Sequence, residues 1–489
     1  MSLQAVRFPT MATWLRSWLL NWPWAVLCAL FGLTLGGGAW IVAGAIIGLL
    51  CALLLLMSGL WWVATAWIVL APTLGVFFND LLQGIPFLRA DRILMLVLLG
   101  MLAFQVVFKK RRLPPLSRIE GRMAAFLLLG LVHVLAGLRD KSFPDWTKQD
   151  AALLFDGYFM PMAGFFIAFR TPWDEARVIR FLWLLTATAL FLAGTAPLET
   201  LLGIGWFIPT YIDVIHVFQR ATGTFGNAAA YGAVMGSMLL LIAALYTHVR
   251  EPGQRILLFS VLLAVVGAIV LSKTRASWLG VAAGLTFVFV RDPGSRPLLT
   301  VFGIGAAIAA AIALPVLLAM QGFEERVFDT APIYNRIAGW GAAINMMVQN
   351  PLTGVGVSRY AFGQHRGEYA IDVGDITGAW IRELAVPHNE FFNVGAMTGV
   401  IGFVLYLRVF TGMFGTLRAT WSDAALSPFV RALAGYVAAV WLAWSINACF
   451  ADFGNFGYAN VIIYFAAGIV ASLAASASAP LRPAVRGDQ

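Results

Sequence analysis

Apolar residues in this chain fall in long unbroken runs, not in the alternation of a strand or the stripe of a half-buried helix. Ile256 to Ser272, Val301 to Met320 and Ala432 to Phe450 each approach the roughly 20 residues a helix needs to cross the hydrocarbon core. Hydropathy places about fourteen such spans, centred near residues 30, 48, 69, 100, 131, 161, 188, 236, 264, 284, 309, 400, 441 and 467. Only Gly36-Gly37-Gly38 separates the first two. The pattern predicts an all-α polytopic membrane protein of about 14 transmembrane helices, packed laterally as a single transmembrane domain over residues 1–489.

Two polar stretches interrupt the runs, Glu199 to Asn227 and Gln321 to Glu390. In the second, Ile337, Trp340, Ile344 and Met347 share one face at helical spacing, and Asn350-Pro351 stops the pattern. This predicts an amphipathic helix on the outer face of the bundle, within a large loop at 321–390 that carries part of a functional site. The remaining loops are mostly short. No phosphate-binding loop or dinucleotide fingerprint occurs in them.

Composition removes the soluble alternative: 60% of residues are hydrophobic and 12% charged, against roughly 25% charged in a soluble domain. The net charge of +9 raises the question of nucleic acid, and loop by loop the charge answers it. With both termini cytoplasmic, one set of loops holds Arg7, Arg16, Lys109 to Arg112, Arg170, Arg177, Arg180, Arg250, Arg255, Arg291, Arg296, Arg408, Arg418, Arg431, Arg482 and Arg486. That is about 20 of the 33 Lys and Arg, so the excess is an orientation signal, and no nucleic-acid partner is expected. The first apolar run after Arg7 and Arg16 leads straight into a second, as a start anchor does. Cys28, Cys51 and Cys449 fall in apolar runs without CxxC spacing and are expected to be reduced, buried thiols.

Candidate chemistry lies on the other set of loops, where a charge contributes nothing to orientation. Among five histidines, His133 falls within a span, His216 in a loop, His248 at a helix end and His365 in a polar stretch. His388 differs. It follows Pro387 where the long loop re-enters the membrane, in Pro387-His388-Asn389-Glu390-Phe391-Phe392, so its imidazole can stand at the water-lipid boundary as a general base. The same residues also suit a helix-capping polar cluster. Lys273 and Arg275 occupy a minimal outer turn, Ser272 to Ser277, Arg336 opens the amphipathic segment, and Arg220 precedes Thr222 to Asn227. Guanidinium groups suit a diphosphate because they donate two hydrogen bonds and keep their charge; lipid headgroups or loop carboxylates would engage them equally well. Asp372 and Asp375 are too sparse for an oxygen cage, and no metal is expected. Asp156 is the lone acid in its apolar span, open to a functional role or to a structural pair with an arginine. Trp206, Tyr211, Tyr334, Tyr360 and Tyr369 could stack on sugar rings or simply mark the interface.

In order along the chain stand Arg220-Ala221-Thr222-Gly223-Thr224-Phe225-Gly226-Asn227, Ser272 to Ser277, Asn335-Arg336 with Trp340, Asn350-Pro351-Leu352-Thr353-Gly354-Val355-Gly356, and Pro387 to Phe392 followed by Gly395, Gly399 and Gly402. From Arg220 to Gly402 this order resembles the O-antigen ligase and O-antigen polymerase family. The resemblance implies an inverting, metal-independent glycosyltransferase of the bacterial inner membrane, without cofactor, working on the periplasmic face with an undecaprenyl-diphosphate glycan as donor. It implies His388 as catalytic residue, Arg275, Arg336 and less directly Arg220 as diphosphate ligands, with Asn389, Glu390 and Lys273 in support.

Two acceptors fit: a polymerase extends a lipid-linked repeat unit, and a ligase moves the finished chain to lipid A-core. The stretch from Gln364 to Glu383 is additional to the family pattern and, with the high span count, tilts the expectation to a polymerase, which would work beside a chain-length regulator. A glycolipid transporter or flippase is the rival from another class. It lacks the inverted halves and paired broken helices expected of alternating access. A scaffold for other assembly enzymes would leave His388 and the arginines without a purpose.

Overall fold

A computed structural model describes residues 59–81, 90–109, 111, 113–137, 151–205, 220–319, 331–357, 361–371 and 386–478. By contacts the chain divides into Met1–Gly59 and Leu60–Gln489, and the architecture below belongs to the second unit. Among the described residues the structure is helical without strands. In chain order the helices are α1 (Leu60–Leu81), α2 (Ala90–Val107), α3 (Arg118–Gly137), α4 (Ala151–Arg170), α5 (Glu175–Leu202), α6 (Ala228–His248), α7 (Pro252–Leu271), α8 (Arg275–Arg291), α9 (Arg296–Ala319), α10 (Ala331–Gln349), α11 (Ala361–His365), α12 (Glu390–Ser422), α13 (Pro428–Ala448) and α14 (Gly457–Ser478). Among the described residues eight, α3 to α7 and α12 to α14, are long and apolar enough to cross a membrane. The chain is therefore a multi-pass membrane protein. Expected spans near residues 30 and 48 lie outside the described residues, and every other expected centre falls within a helix.

At the centre stands α6, buried at every position from Ala228 to Leu245 except Ala229. Small residues let its neighbours close on it: a Cβ at Gly232 would meet the Ser277 hydroxyl at 2.6 Å, and one at Gly236 would meet Val281 at 2.7 Å. α8 approaches α13 in the same way, Gly280 lying where a Cβ would stand 2.6 Å from the Ala443 carbonyl. Without water between apolar helices, such backbone approach is what association in a bilayer relies on.

The expected amphipathic helix exists as α10, and it ends at Gln349 immediately before Asn350-Pro351. Its inward face is made mostly of small residues. Ala338, Ala342, Ala343 and Met346 are fully buried with Phe362 and Ala396, whereas Ile337 and Ile344 are 42% and 37% exposed. Trp340 and Met347 are half-buried. Small side chains bring α10 close against α12, and bulky aliphatics lose little by facing outward where the neighbour is lipid.

The glycine-containing motifs meet each other. α12 breaks at Gly399, whose φ is 68°, and the Asn350 to Gly356 turn docks into the break. Val355 N–H donates to Ala396 O at 2.8 Å, Gly356 N–H to Met397 O at 3.1 Å, and Val400 N–H to Pro351 O at 2.8 Å. The turn thus takes up carbonyls that the interrupted helix leaves open, the condition for a broken helix within a membrane. A Cβ at Gly399 would stand 2.4 Å from the Pro351 carbonyl.

The two ends of the bundle differ in charge. At one end Arg170 pairs with Glu120, both buried, and Arg170 lies 3.8 Å over the Phe166 ring. Ser117 and Glu120 form a capping box there, Ser117 N–H donating to Glu120 Oε2 at 2.7 Å. Arg177, Arg180, Arg250, Arg291, Arg296 and Arg431 share this basic end and are exposed or half-buried. His248 packs there against Phe429 at 4.7 Å; His133 is half-buried within α3; His365, at the end of α11, lies 3.3 Å from Glu368. Arg7, Arg16, Cys28, Cys51, Lys110, Arg112, Trp206, Tyr211, His216, Tyr360, Asp372, Asp375, Arg482 and Arg486 lie outside the described residues. Cys449 sits half-buried in the turn just after α13 and not within a span.

Candidate functional site

At the opposite end, α7 and α13 finish while α6, α8, α12 and α14 begin, and the candidate residues gather on the turns between them. His388 has φ of 55° and Lys273 of 48°, the two non-glycine residues with positive φ among the described residues. Left-handed backbone costs a residue with a Cβ about 1–2 kcal/mol, and surroundings must hold it there. At His388 the holder is Asp452. Its carboxylate accepts the backbone N–H of His388 at 2.9 Å on Oδ2 and that of Asn389 at 3.2 Å on Oδ1. The His388 Nδ1 stands 3.5 Å from the same Oδ2. One buried carboxylate therefore fixes the turn and faces the ring, leaving Nε2 as the nitrogen turned away from it.

Asn389 caps α12, accepting the Phe392 N–H at 3.1 Å while donating to the Cys449 carbonyl at 3.2 Å. The capping role weighed for this cluster is thus real, and Asn389 fills it; His388 remains 45% exposed at its side chain while Asp452 is 2% exposed. Glu390 is fully buried beneath them. It accepts the Gly454 N–H at 2.8 Å and faces the Tyr406 hydroxyl at 3.4 Å, so it steadies the short turn that follows Asp452. The π-helical stretch of α4, Leu154–Phe159, packs on that turn, and a Cβ at Gly157 would stand 2.3 Å from the Gly454 carbonyl.

Electrostatics set the protonation of the pair. Burial, and then the Arg336 charge, hold the His388 imidazole below its ordinary 6.5. Burial, and then the Glu390 carboxylate, push Asp452 up to about 8, against the two backbone N–H donors that favour its charge. Two neighbouring buried acids resist carrying two charges. The lowering at His388 favours the uncharged ring, the form that can accept a proton.

The arginines are placed as follows. Arg336 lies with its guanidinium 5.6 Å from the Phe450 ring, and Trp340 packs on Phe450 and Phe392 at 6.2 and 6.0 Å. Arg275 is the half-buried first residue of α8. Two positions on, Ser277 donates to Asn447 at 2.9 Å and ties this helix start to the end of α13. Arg220 donates to the Ser272 carbonyl at 3.1 Å and to the Thr274 hydroxyl at 2.8 Å, so it braces the turn that delivers Arg275. Lys273 is buried within that turn, and burial, then the Arg220 charge, lowers its ammonium from the ordinary value. Tyr369 joins the α10 side through a 2.9 Å hydrogen bond from Asn350 to its hydroxyl. Tyr334 is 48% exposed.

Asp156 makes a two-pronged pair with Arg92, at 2.8 Å from Nε and 2.5 Å from the terminal nitrogen, the structural alternative weighed for it. Among the described residues no three His, Cys, Asp or Glu side chains come together as metal ligands. Asp452 was missed by sequence reasoning. Its signal was available: an acid in a short turn between two apolar spans, on the end where charge does not set orientation.

A search of curated proteins returned no match. Residues 259–407 match the family model described as O-antigen ligase, a segment that contains Lys273, Arg275, Arg336, His388, Asn389 and Glu390 and leaves Arg220 and Asp452 outside; over that segment the chain is similar to the O-antigen ligase family.

Proposed function

We propose that this protein is an inverting glycosyltransferase that moves a glycan from undecaprenyl diphosphate to an acceptor sugar on the periplasmic face of the inner membrane, with both termini cytoplasmic. The family match indicates glycan assembly of the O-antigen ligase or polymerase type from lipid-linked glycan and saccharide substrates. The observation that carries the finer reading is the half-exposed His388 held by buried Asp452 at the same end of the bundle as Arg275 and Arg336.

In this reading His388 Nε2 accepts the proton of the acceptor hydroxyl as its oxygen attacks the anomeric carbon. The bond from that carbon to the diphosphate oxygen breaks, its electron pair passes to the diphosphate, and Arg275 and Arg336 offset the charge that builds there. Attack from the face opposite the leaving group inverts the anomeric centre. Arg220 and Lys273 hold the turn that presents Arg275, and Asn389 and Glu390 hold the His388 and Asp452 turns. An apolar groove of about 480 Å³ between α7, α8 and α9 includes Trp278, three residues after Arg275, and Phe302 deeper along α9. Such a groove suits an isoprenoid tail whose diphosphate lies at Arg275. No step calls for a metal or nucleotide.

Between the two acceptors we favour the lipid-linked repeat unit, on the additional Gln364 to Glu383 stretch, which makes the protein a polymerase with a chain-length regulator as partner; lipid A-core is the alternative. The test is reconstitution with an undecaprenyl-diphosphate repeat unit, with and without lipid A-core, following product size. A ladder without lipid A-core identifies a polymerase, and product only with it identifies a ligase. His388→Ala should lower either product about 100-fold or more while the protein remains inserted. Near-normal transfer by that variant would overturn the role of His388, and bound donor with no product would favour a transporter.

A further inference from the structure

The basic end holds a feature that the transferase reading does not use. Between α8, α12 and α13 lies a cleft of about 380 Å³ lined by Phe287, Arg291, Asp292, Trp421, Arg431 and Tyr436. Its wall is apolar along α8, at Phe287 and Val288, and its charge is at the mouth, where Arg291 and Arg431 are both exposed. Arg291 lies 5.3 Å over the Trp421 ring and, among the described residues, makes a long 3.4 Å contact to the Ser422 hydroxyl. Arg431 makes no ion pair among the described residues.

Asp292, an acid in the lining of the cleft, is engaged by its own turn. Asp292 accepts the Gly294 N–H at 3.1 Å and the Ser295 hydroxyl, and Ser295 in turn accepts from the Tyr436 hydroxyl at 2.9 Å. Both carboxylate oxygens are therefore engaged in closing the α8 to α9 turn. Two guanidinium groups against one locally satisfied carboxylate leave the mouth net positive. Charge at the mouth, an aromatic at the interface level and an apolar wall below match a headgroup with acyl chains, and basic pockets between membrane helices bind anionic lipid headgroups by this arrangement.

We infer that this cleft binds an anionic phospholipid, with the phosphodiester between Arg291 and Arg431 and an acyl chain along Phe287 and Val288. The site is at the opposite end of the bundle from His388, so it is not a donor or acceptor subsite. The shared chemistry is a phosphate ester, which a soluble phosphate could also offer.

The test is native mass spectrometry of the full chain in detergent, titrated with phosphatidylglycerol and with phosphatidylcholine of the same acyl chains. Phosphatidylglycerol should bind more tightly, and Arg291→Gln and Arg431→Gln should each weaken it roughly fivefold, the double variant losing the preference. Arg255→Gln, an exposed arginine of the same end that lies over Tyr246, should leave binding unchanged. Arg431→Gln alone keeps the test valid if the double variant misfolds. Equal binding of the two lipids, or an unchanged preference in Arg431→Gln, would overturn the inference. Displacement of phosphatidylglycerol by inorganic phosphate at matching concentrations would overturn it as well, since the cleft would then be a soluble-anion site.

Discussion

Two buried carboxylates at opposite ends of the bundle are handled differently. Glu120 faces a guanidinium as buried as itself, 4% and 1% exposed at their side chains, and its second oxygen closes a capping box. Asp452 is as deeply buried, yet its partner ring is 45% exposed and the rest of its hydrogen-bonding capacity goes to backbone. The first pair is closed on both sides and can only hold helices together. The second presents an oriented imidazole to the outside, so its buried member serves a group that can still react.

Breaking the closed pair should give the largest effect on folding. Glu120→Ala leaves Arg170 uncompensated and should destabilise the protein by about 3–5 kcal/mol, read as a lower thermal midpoint in detergent, with transfer per folded molecule unchanged. Loss of specific activity without loss of stability would erase the contrast between the two ends. Asp452→Asn removes one of the two acceptors that hold the His388 turn, and transfer should fall about 100-fold with a smaller change in stability. Arg336→Gln tests the electrostatics by a smaller shift. The Arg336 charge helps to hold the His388 pKa below 6.5, so activity that depends on neutral imidazole is lost only as pH falls through that lowered value. Without Arg336 the acidic limb of the pH profile should move up towards 6.5, alongside any loss from weaker diphosphate binding. An unmoved limb would separate the two residues.

Sequence alone reached the helices because membrane spans are written in hydropathy, which needs no knowledge of partners. It singled out His388, Arg275 and Arg336 as candidates because charges on the end that does not set orientation are conspicuous against an apolar background. Asp452 escaped because its role depends on a contact 64 residues along the chain, and Phe450 to Asn455 carries no periodic pattern. The buried face of α10 had no hydrophobic signal of its own: Ile337 and Ile344 mark a face at helical spacing and stay exposed, whereas Ala338 and Ala342 allow the close approach. The joining of Asn350 to Gly356 with Gly399 was likewise unreadable, although each motif was visible, since nothing local states which broken helix a turn will complete.

The left-handed backbone at His388 bears on how its ring can be removed. Alanine there deletes the imidazole but keeps the Cβ, so the left-handed cost that the turn already bears stays in place. His388→Gly relieves that cost as well and opens a hole the size of the missing ring beside Asp452. On the proposed transferase reading, imidazole added to the solution would occupy that vacancy and restore transfer in proportion to its concentration, making the protein dependent on a small molecule that replaces its own side chain.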